Sequence, residues 1–351
     1  MKKEQIIEWL KEADTARLGK LWALADDVRK KNVGDDVHLR GLVEISNYCI
    51  RRCGYCGLNA ENTSIGRYRM TAEEIIGCAD EAVKYGYGAL VIQSGEDYGI
   101  KSQWMADVIG CIKSRTPLAI TLSLGERTDE ELVLWKKAGA DRYLLRFETS
   151  NQQLYEKIHP SLPGKKSDRF AMLCRLSQIG YEIGSGVMIG IPGQSYEDLA
   201  DDIEWFSKLN LDMIGCGPYI SHPQTQLGKE KDEVEDMQGQ QVPNTEMMTY
   251  KVIALARIMC PLANIPSTTA LATLNLENGR ELGLSRGANI VMPNLTPVKY
   301  RSMYEIYPAK ACINETAAQC HNCIKGRILS IGRTIGQGRG DSPSYKQRKS
   351  K

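Results

Sequence analysis

The chain has almost no net charge, few histidines and no long apolar run, and each shortage removes a class of function. A formal charge of +2 over 351 residues leaves no electrostatic footprint for nucleic acid or for an anionic membrane surface. No apolar stretch approaches the ~20 residues of a membrane-spanning helix. The opening MKKEQIIEWLKEAD reads as a charged amphipathic helix and not as a secretory leader. A cytoplasmic setting is expected, with neither membrane nor nucleic acid as partner. Only His38, His159, His222 and His321 are available, and none has local support for a Ser-His-Asp triad or a histidine-based metal hydrolase. Cysteine, by contrast, is plentiful: eleven in such a compartment argue for metal ligation or buried thiols and against disulfides. With 42% hydrophobic residues the chain can bury a sizeable core, as one large domain or two ordinary ones.

After a helical extension over residues 1–33, short apolar runs alternate with amphipathic stretches at roughly thirty-residue spacing, the rhythm of βα units. Strands are expected at 38–45, 89–94, 118–122, 142–146, 182–189, 213–215, 264–268 and 289–292. Eight such strands predict an α/β fold, a closed (βα)8 barrel of TIM type over 34–296, with its chemistry at the C-terminal strand ends. Three helix starts, Thr71 with Glu74, Thr128 with Glu131 and Ser195 with Asp198, place a hydroxyl N-cap three residues before a carboxylate. The polar stretch 229–244 reads as an exposed excursion, with a lid as the alternative. Residues 297–331 read as a C-terminal cap with its own cysteines, and 332–351 as a mobile basic tail.

Directly after the first strand come Cys49, Cys53 and Cys56, spaced C-x3-C-x2-C. A cube of four irons and four sulfides needs four ligands, and this loop supplies three. The remaining iron is left to chelate the amino and carboxylate groups of S-adenosylmethionine (SAM), which is the radical SAM arrangement. Zinc would want four closed ligands, and no fourth Cys or His lies near this loop in sequence. Reducing such a 4Fe-4S cluster would split the C5′–S bond of SAM and release a 5′-deoxyadenosyl radical. Ser94, Gly95 and Glu96 end the second strand, where a glycine admits the backbone and a carboxylate can accept from the SAM ammonium. The turn Gly190-Ile191-Pro192-Gly193-Gln194 would bring backbone beside adenine at Ile191.

Alternation along the fourth strand places Arg146 and Glu148 on one side, opposite Phe147. A buried ion pair is a poor route to stability, so these two point to binding of a zwitterion or carboxylate. Thr121 and Ser123 on the third strand, with Thr268 and Thr269 ending the seventh, add hydroxyls to the same mouth. Together they suggest a small, polar, amino-acid-like ligand. Gly184-Ser-Gly186-Val-Met-Ile-Gly190 is not a dinucleotide fingerprint, because its third glycine is misplaced and a strand follows where a helix should open.

The collinear strings VHLRGLVEISNYCIRRCGYCGL, RYRMT, LVIQSGED, ITLSLGE, AGADRYLLRFET, IGIPGQ, IPSTTA and GANIVMPNLTP span about residues 35–325. Through them the chain resembles the HydE family, radical SAM maturases of iron-only hydrogenase. The resemblance implies that Cys49, Cys53 and Cys56 hold the SAM cluster, with the aromatic Tyr55 near the adenine, and that Glu96 and Arg169 help bind SAM. It implies a substrate cavity lined by Arg146, Glu148, Thr121, Ser123, Thr268 and Thr269, with Tyr304, Tyr307, Tyr300, Met213 and Met292 at cavity or cap positions. Arg146 and Glu148 are taken as the catalytic pair. The implied reaction is radical attack on the sulfur of a cysteine-bound iron complex carrying carbonyl and cyanide ligands. An electron donor such as ferredoxin or flavodoxin, and the other hydrogenase maturases, are the implied partners.

Cys312, Cys320 and Cys323, spaced C-x7-C-x2-C, match a second cluster site of some HydE proteins, of 2Fe-2S or 4Fe-4S type and not catalytic. Cys78, Cys111, Cys174, Cys216 and Cys260 read as buried thiols. Four rival readings stand beside this one, the serious one being a HydE-like paralogue that acts on another small amino acid or thiol. A methylornithine-synthase-like mutase would lack the C-terminal triad, and a biotin-synthase-like sulfur inserter would need cysteines on the second, third and fifth strands, which hold none. A non-catalytic iron-sulfur carrier would bind SAM without cleaving it.

Overall fold

The computed structural model describes residues 1–230 and 239–350. The excursion expected at 229–244 falls largely on 231–238, outside the described residues. Strands Asp36–Ser46, Ala89–Ser94, Ala119–Ser123, Arg142–Leu144, Glu182–Ser185 and Met213–Ile214 pair in that order, all parallel. The seventh stave is extended chain at 264–266, where Asn264 bridges Met213 and Pro266 bridges Ile290. Ile290–Val291 then pairs with His38 and Leu39 of the first strand, so the ring closes as a (βα)8 barrel. Strand residues such as Val43, Ile45, Leu90, Ile92, Ile120 and Leu122 are all buried. Near-continuous apolar runs suit parallel strands covered on both faces.

Two strands stop short of their expected ends. The regular ladder of the fourth ends at Leu144, yet the chain stays beside the fifth, where Glu148, in a left-handed backbone at φ 63°, bridges Val187 in parallel. The fifth breaks at Gly186, where a Cβ would lie 1.9 Å from the Gly215 carbonyl oxygen. A separate short pair, Met188–Ile189 with Gly217–Pro218, resumes beyond this close approach.

All three expected capping boxes are present. Thr71 Oγ1 accepts from the Glu74 N–H at 3.3 Å while the Glu74 carboxylate accepts from the Thr71 N–H at 2.9 Å, and the Thr128 and Ser195 starts repeat the exchange. The N-terminal helices Lys3–Lys11 and Thr15–Val33 pack on Tyr196–Lys208 and Glu246–Met259. Among the described residues no helix is long and apolar enough to cross a membrane.

Residues 332–350 are not a mobile tail. Thr334–Ile335 pairs with Asp36 and Val37, and helix Pro343–Lys349 closes the N-terminal end of the barrel with Tyr345 buried. The cause lies in acidic groups buried at that end. Arg142 sits between Glu182 (2.5 Å) and Asp341 (2.6 Å), Arg339 meets Asp141 at 2.7 Å, and Ser342 and Arg348 reach Asp212 at 3.0 and 2.5 Å. The tail's basic residues satisfy carboxylates that would otherwise be buried unpaired. At the opposite end, a strap of residues 302–316 crosses the mouth between helices Val298–Arg301 and Ala317–Ser330.

A candidate cluster and substrate site at the barrel mouth

The cysteine loop hangs off the C-terminal end of the first strand and is pinned from four sides. Ile50 N–H donates to Glu96 O (3.0 Å), Gly54 N–H to Ile158 O (2.9 Å) and Gly57 N–H to Ile306 O of the strap (3.0 Å). The Arg67 guanidinium donates to the carbonyls of Asn47, Leu58, Asn59 and Asn62. Gly95 packs so tightly beneath the loop that a Cβ there would lie 2.3 Å from Tyr48 O and 2.9 Å from Cys49 Cβ. Cys53 is buried and Cys49 and Cys56 half-buried. Burial pushes the Cys49 and Cys53 thiols up and that of Cys56 up to about 12, so without a cationic partner they stay protonated. Among the described residues no three His, Cys, Asp or Glu side chains close around one point, as a single zinc ion would require. Three thiols carried by one short loop, Cys53 buried and Cys49 and Cys56 half-buried, suit the iron corners of a cluster, each of which takes one thiolate.

Beside the loop runs a chain of buried charges. Arg51, inside the cysteine motif, reaches both Glu96 and Glu126 at 2.8 Å. Glu96 also accepts from Tyr98 Oη (3.2 Å) and the Glu126 N–H (3.0 Å). Burial alone would push the Glu126 carboxyl up; Ser167, Arg169 and Arg51 outweigh it and hold it below the ordinary range. Arg169 donates to Glu126 (3.2 Å), to the Arg146 carbonyl and to His159 Nε2 (2.7 Å). Burial, then Arg169, lowers His159 to about 2, so the ring is neutral and its proton is assigned to Nδ1. Ser94 Oγ donates to the Gly95 carbonyl at 2.6 Å, and Ile191 lies in a turn fixed by Gln194 and Gln241. The sequence reading gave Arg51, Glu126 and His159 no site role and Gln194 only a place in its turn; Arg51, Glu126 and Gln194 stand in the quoted strings, the signal that could have found them.

The loop opens into a cavity of about 310 Å³, lined by Tyr55, Cys56, Thr121, Ser123, Arg146, Glu148, Met213, Thr268, Thr269, Met292 and Tyr307 among others. Arg146 and Glu148 face the same space, 3.1 Å apart, and Phe147 lies opposite, packed on Phe170 and Phe206; Glu148 takes a left-handed backbone there. Arg146 Nε and Thr121 Oγ1 are buried without a hydrogen-bond partner, and Glu148 Oε2 is buried with the Arg146 contact alone. Such atoms in a polar cavity mark places a ligand can satisfy. Tyr55 Oη sits 3.5 Å from Glu148 Oε1, and Thr268 also caps helix Thr269–Leu274 through the Leu271 N–H.

Two tyrosines expected at cavity or cap positions belong to the cap segment and do not line the cavity. Tyr304 is packed behind the wall, its hydroxyl accepting from Gln93 Nε2 at 3.2 Å. Tyr300 stacks on Tyr68 at 4.4 Å and donates to Glu74, outside the barrel. Glu44, Gln93, Arg40 and Lys310 also line the cavity; the first three stand in the quoted strings without a role having been read for them, and Lys310 stands outside them.

Near the strap's far end Cys312, Cys320 and Cys323 share a smaller cavity of about 170 Å³ with Arg280 and Arg327. A hydrogen bond between the Cys312 and Cys320 thiols holds Cys312 down to about 6 and pushes Cys320 up. Of the remaining cysteines, Cys78 and Cys216 are buried, Cys111 and Cys260 half-buried, and Cys174 exposed, so burial does not explain them all.

Comparison with known proteins places this architecture. The sequence profile of the radical SAM superfamily matches residues 43–206. The FeFe hydrogenase maturase subunit HydE of Thermotoga maritima is 43% identical over 317 residues, spanning 90% of this chain and 87% of the relative. The 3-methylornithine synthase of Methanosarcina acetivorans is 28% identical and spans 78% of this chain and 74% of its own. A crystal structure of methylornithine synthase (PylB) superposes with a TM-score of 0.79 over 99% of this chain and 96% of that one, at 22% identity, a likeness of fold.

Proposed function

The chain belongs to the HydE family of FeFe hydrogenase maturases, and we propose that its barrel mouth cleaves SAM beside a sulfur-bearing substrate during assembly of the hydrogenase active-site cluster. One observation carries this reading: the cysteine loop, through Tyr55 and Cys56, and the ion pair Arg146–Glu148 line a single cavity. A radical formed at the loop would meet a bound ligand without crossing bulk water.

Cys49, Cys53 and Cys56 would hold the 4Fe-4S cluster, and Ser94, Gly95, Glu96, Arg169 and Ile191 would hold SAM. When bound, the reduced cluster supplies the electron that splits the C5′–S bond of SAM and so furnishes the adenosyl radical. Glu96 would accept from the SAM ammonium through one oxygen while Arg51 and Tyr98 fix the other. Arg146 and Glu148 exchange their mutual 3.1 Å contact for the carboxylate and ammonium of an amino-acid ligand. Thr121, Ser123, Thr268, Thr269 and Tyr307 orient the rest of it. The ligand is a cysteine-bound iron complex with carbonyl and cyanide ligands, attacked at sulfur.

The second group, Cys312, Cys320 and Cys323, holds a further iron-sulfur cluster without a catalytic role. Ferredoxin or flavodoxin supplies electrons, the other maturases are partners, and the setting is cytoplasmic. The chain divides into a helical extension 1–33, the barrel 34–296 and the cap 297–331.

The test is reductive cleavage. Protein reconstituted anaerobically, then given dithionite and SAM, yields 5′-deoxyadenosine and methionine, and Cys53→Ser yields neither. A fully cluster-loaded protein that binds SAM and forms no 5′-deoxyadenosine refutes the reading in favour of an iron-sulfur carrier.

A further inference from the structure

The cavity holds a second buried ion pair, to which the amino-acid end of the substrate gives no role. Glu44, near the end of the first strand, and Lys310, on the strap, both line the cavity and are 1% and 6% exposed. Lys310 Nζ pairs with Glu44 Oε1 and reaches the Tyr304 carbonyl at 3.4 Å. The two partners are not equivalent. Glu44 has further donors on its other oxygen, Asn294 Nδ2 at 3.2 Å and Thr296 Oγ1 at 3.4 Å. Lys310 meets no second carboxylate among the described residues, and of the three N–H groups of an ammonium it uses two.

The barrel sets where this spare donor lies. Glu44 is on the first stave and Arg146 follows the fourth, so in a ring of eight the two ion pairs stand on different sides of one cavity. A buried ion pair contributes little net stability compared with apolar residues of similar volume, so a cation kept at the cavity wall is better explained by a ligand than by folding.

We propose that Lys310 is a substrate-binding residue: its charge and free N–H hold the anionic, acceptor-bearing end of the ligand, remote from the amino-acid end at Arg146 and Glu148. Glu44 is the positioning residue that aims it. The chemical class this pair recognises is a small anion or anionic metal complex with exposed acceptor atoms, such as cyanide nitrogens. The assignment rests on the cavity being the substrate site, as proposed above.

The experiment titrates cluster-loaded, SAM-bound protein with two probes: an iron-cysteine complex bearing carbonyl and cyanide ligands, and free L-cysteine, which lacks the anionic metal end. Calorimetry gives affinity, and the infrared cyanide stretch reports its hydrogen bond. Lys310→Met weakens the complex by on the order of tenfold or more and shifts the cyanide band. It leaves L-cysteine affinity unchanged, while Lys310→Arg retains most of the affinity for the complex. The double variant Glu44→Gln with Lys310→Met removes the carboxylate left unpaired by the single change. A merely structural pair regains wild-type affinity there; a binding lysine does not. Wild-type affinity and an unmoved cyanide band in Lys310→Met, or full recovery in the double variant, overturn the proposal alone. Failure of the wild-type protein to bind the complex while it still cleaves SAM overturns the substrate reading, and the role of Lys310 with it.

Discussion

Arg51→Met removes the guanidinium that joins the cysteine loop to the ends of the second and third strands. Arg51, Glu96 and Glu126 have side chains only 2–3% exposed, so solvent does not screen what is lost. Glu126 keeps Ser167 and Arg169, and Glu96 keeps Tyr98 and a backbone N–H. Two adjacent carboxylates then share one fewer cation. Breaking a buried pair from one side costs about 3–5 kcal/mol, against a total stability of about 5–15 kcal/mol for a typical domain. The deficit is pH-dependent in a defined direction. Glu126 is held below its ordinary value in the folded chain, so its contribution is full above the unfolded value of about 4.3 and is lost as pH falls through the lower, folded one. Without Arg51 part of that shift disappears. The gap between wild type and variant is therefore largest near neutrality and narrows as pH falls below about 4. Urea unfolding of the cluster-free polypeptide across this range measures it. A variant within about 0.5 kcal/mol of wild type at pH 7 would refute the idea that the bridge holds the loop.

Three further outcomes follow from the geometry. Gly95→Ala forces a methyl group to within 2.3 Å of Tyr48 O, displaces the Cys49 end of the loop and costs about 1–3 kcal/mol by overpacking; iron content after reconstitution should drop, and unchanged iron and melting temperature would count against it. Truncation after Ile331 strips partners from Asp141, Glu182 and Asp212 and lowers stability by more than about 3 kcal/mol, whereas a mobile tail would be lost without change in thermal melting. Replacing Cys312, Cys320 and Cys323 together by serine reduces bound iron and leaves 5′-deoxyadenosine formation intact; loss of SAM cleavage would give the second group a catalytic role.

What the sequence disclosed and what it hid divide along physical lines. The C-x3-C-x2-C spacing, the three capping boxes and the apolar runs are local signals, and each appears in the structure where it was expected. Alternation put Arg146 and Glu148 on one side and Phe147 on the other, as the structure has them, while the left-handed backbone at Glu148 leaves no mark in composition. Lys310 and Glu44 are 266 residues apart, and Lys310 stands in none of the quoted strings. The tail misled because its basic character was weighed alone, when its partners are acids buried at the other end of long sequence gaps. Tyr304 and Tyr300 came from resemblance alone, and the packing of Gln93 and Tyr68 turns both away from the cavity.

The most direct test of function is anaerobic activation of an apo FeFe hydrogenase by the other maturation factors, with this protein as the only HydE-type component and hydrogen evolution as the readout. Membership of the HydE family predicts hydrogen evolution that disappears with Cys53→Ser. Absence of hydrogen evolution from protein that cleaves SAM reductively under the same conditions would contradict a role in hydrogenase maturation and direct attention to another small amino-acid or thiol substrate.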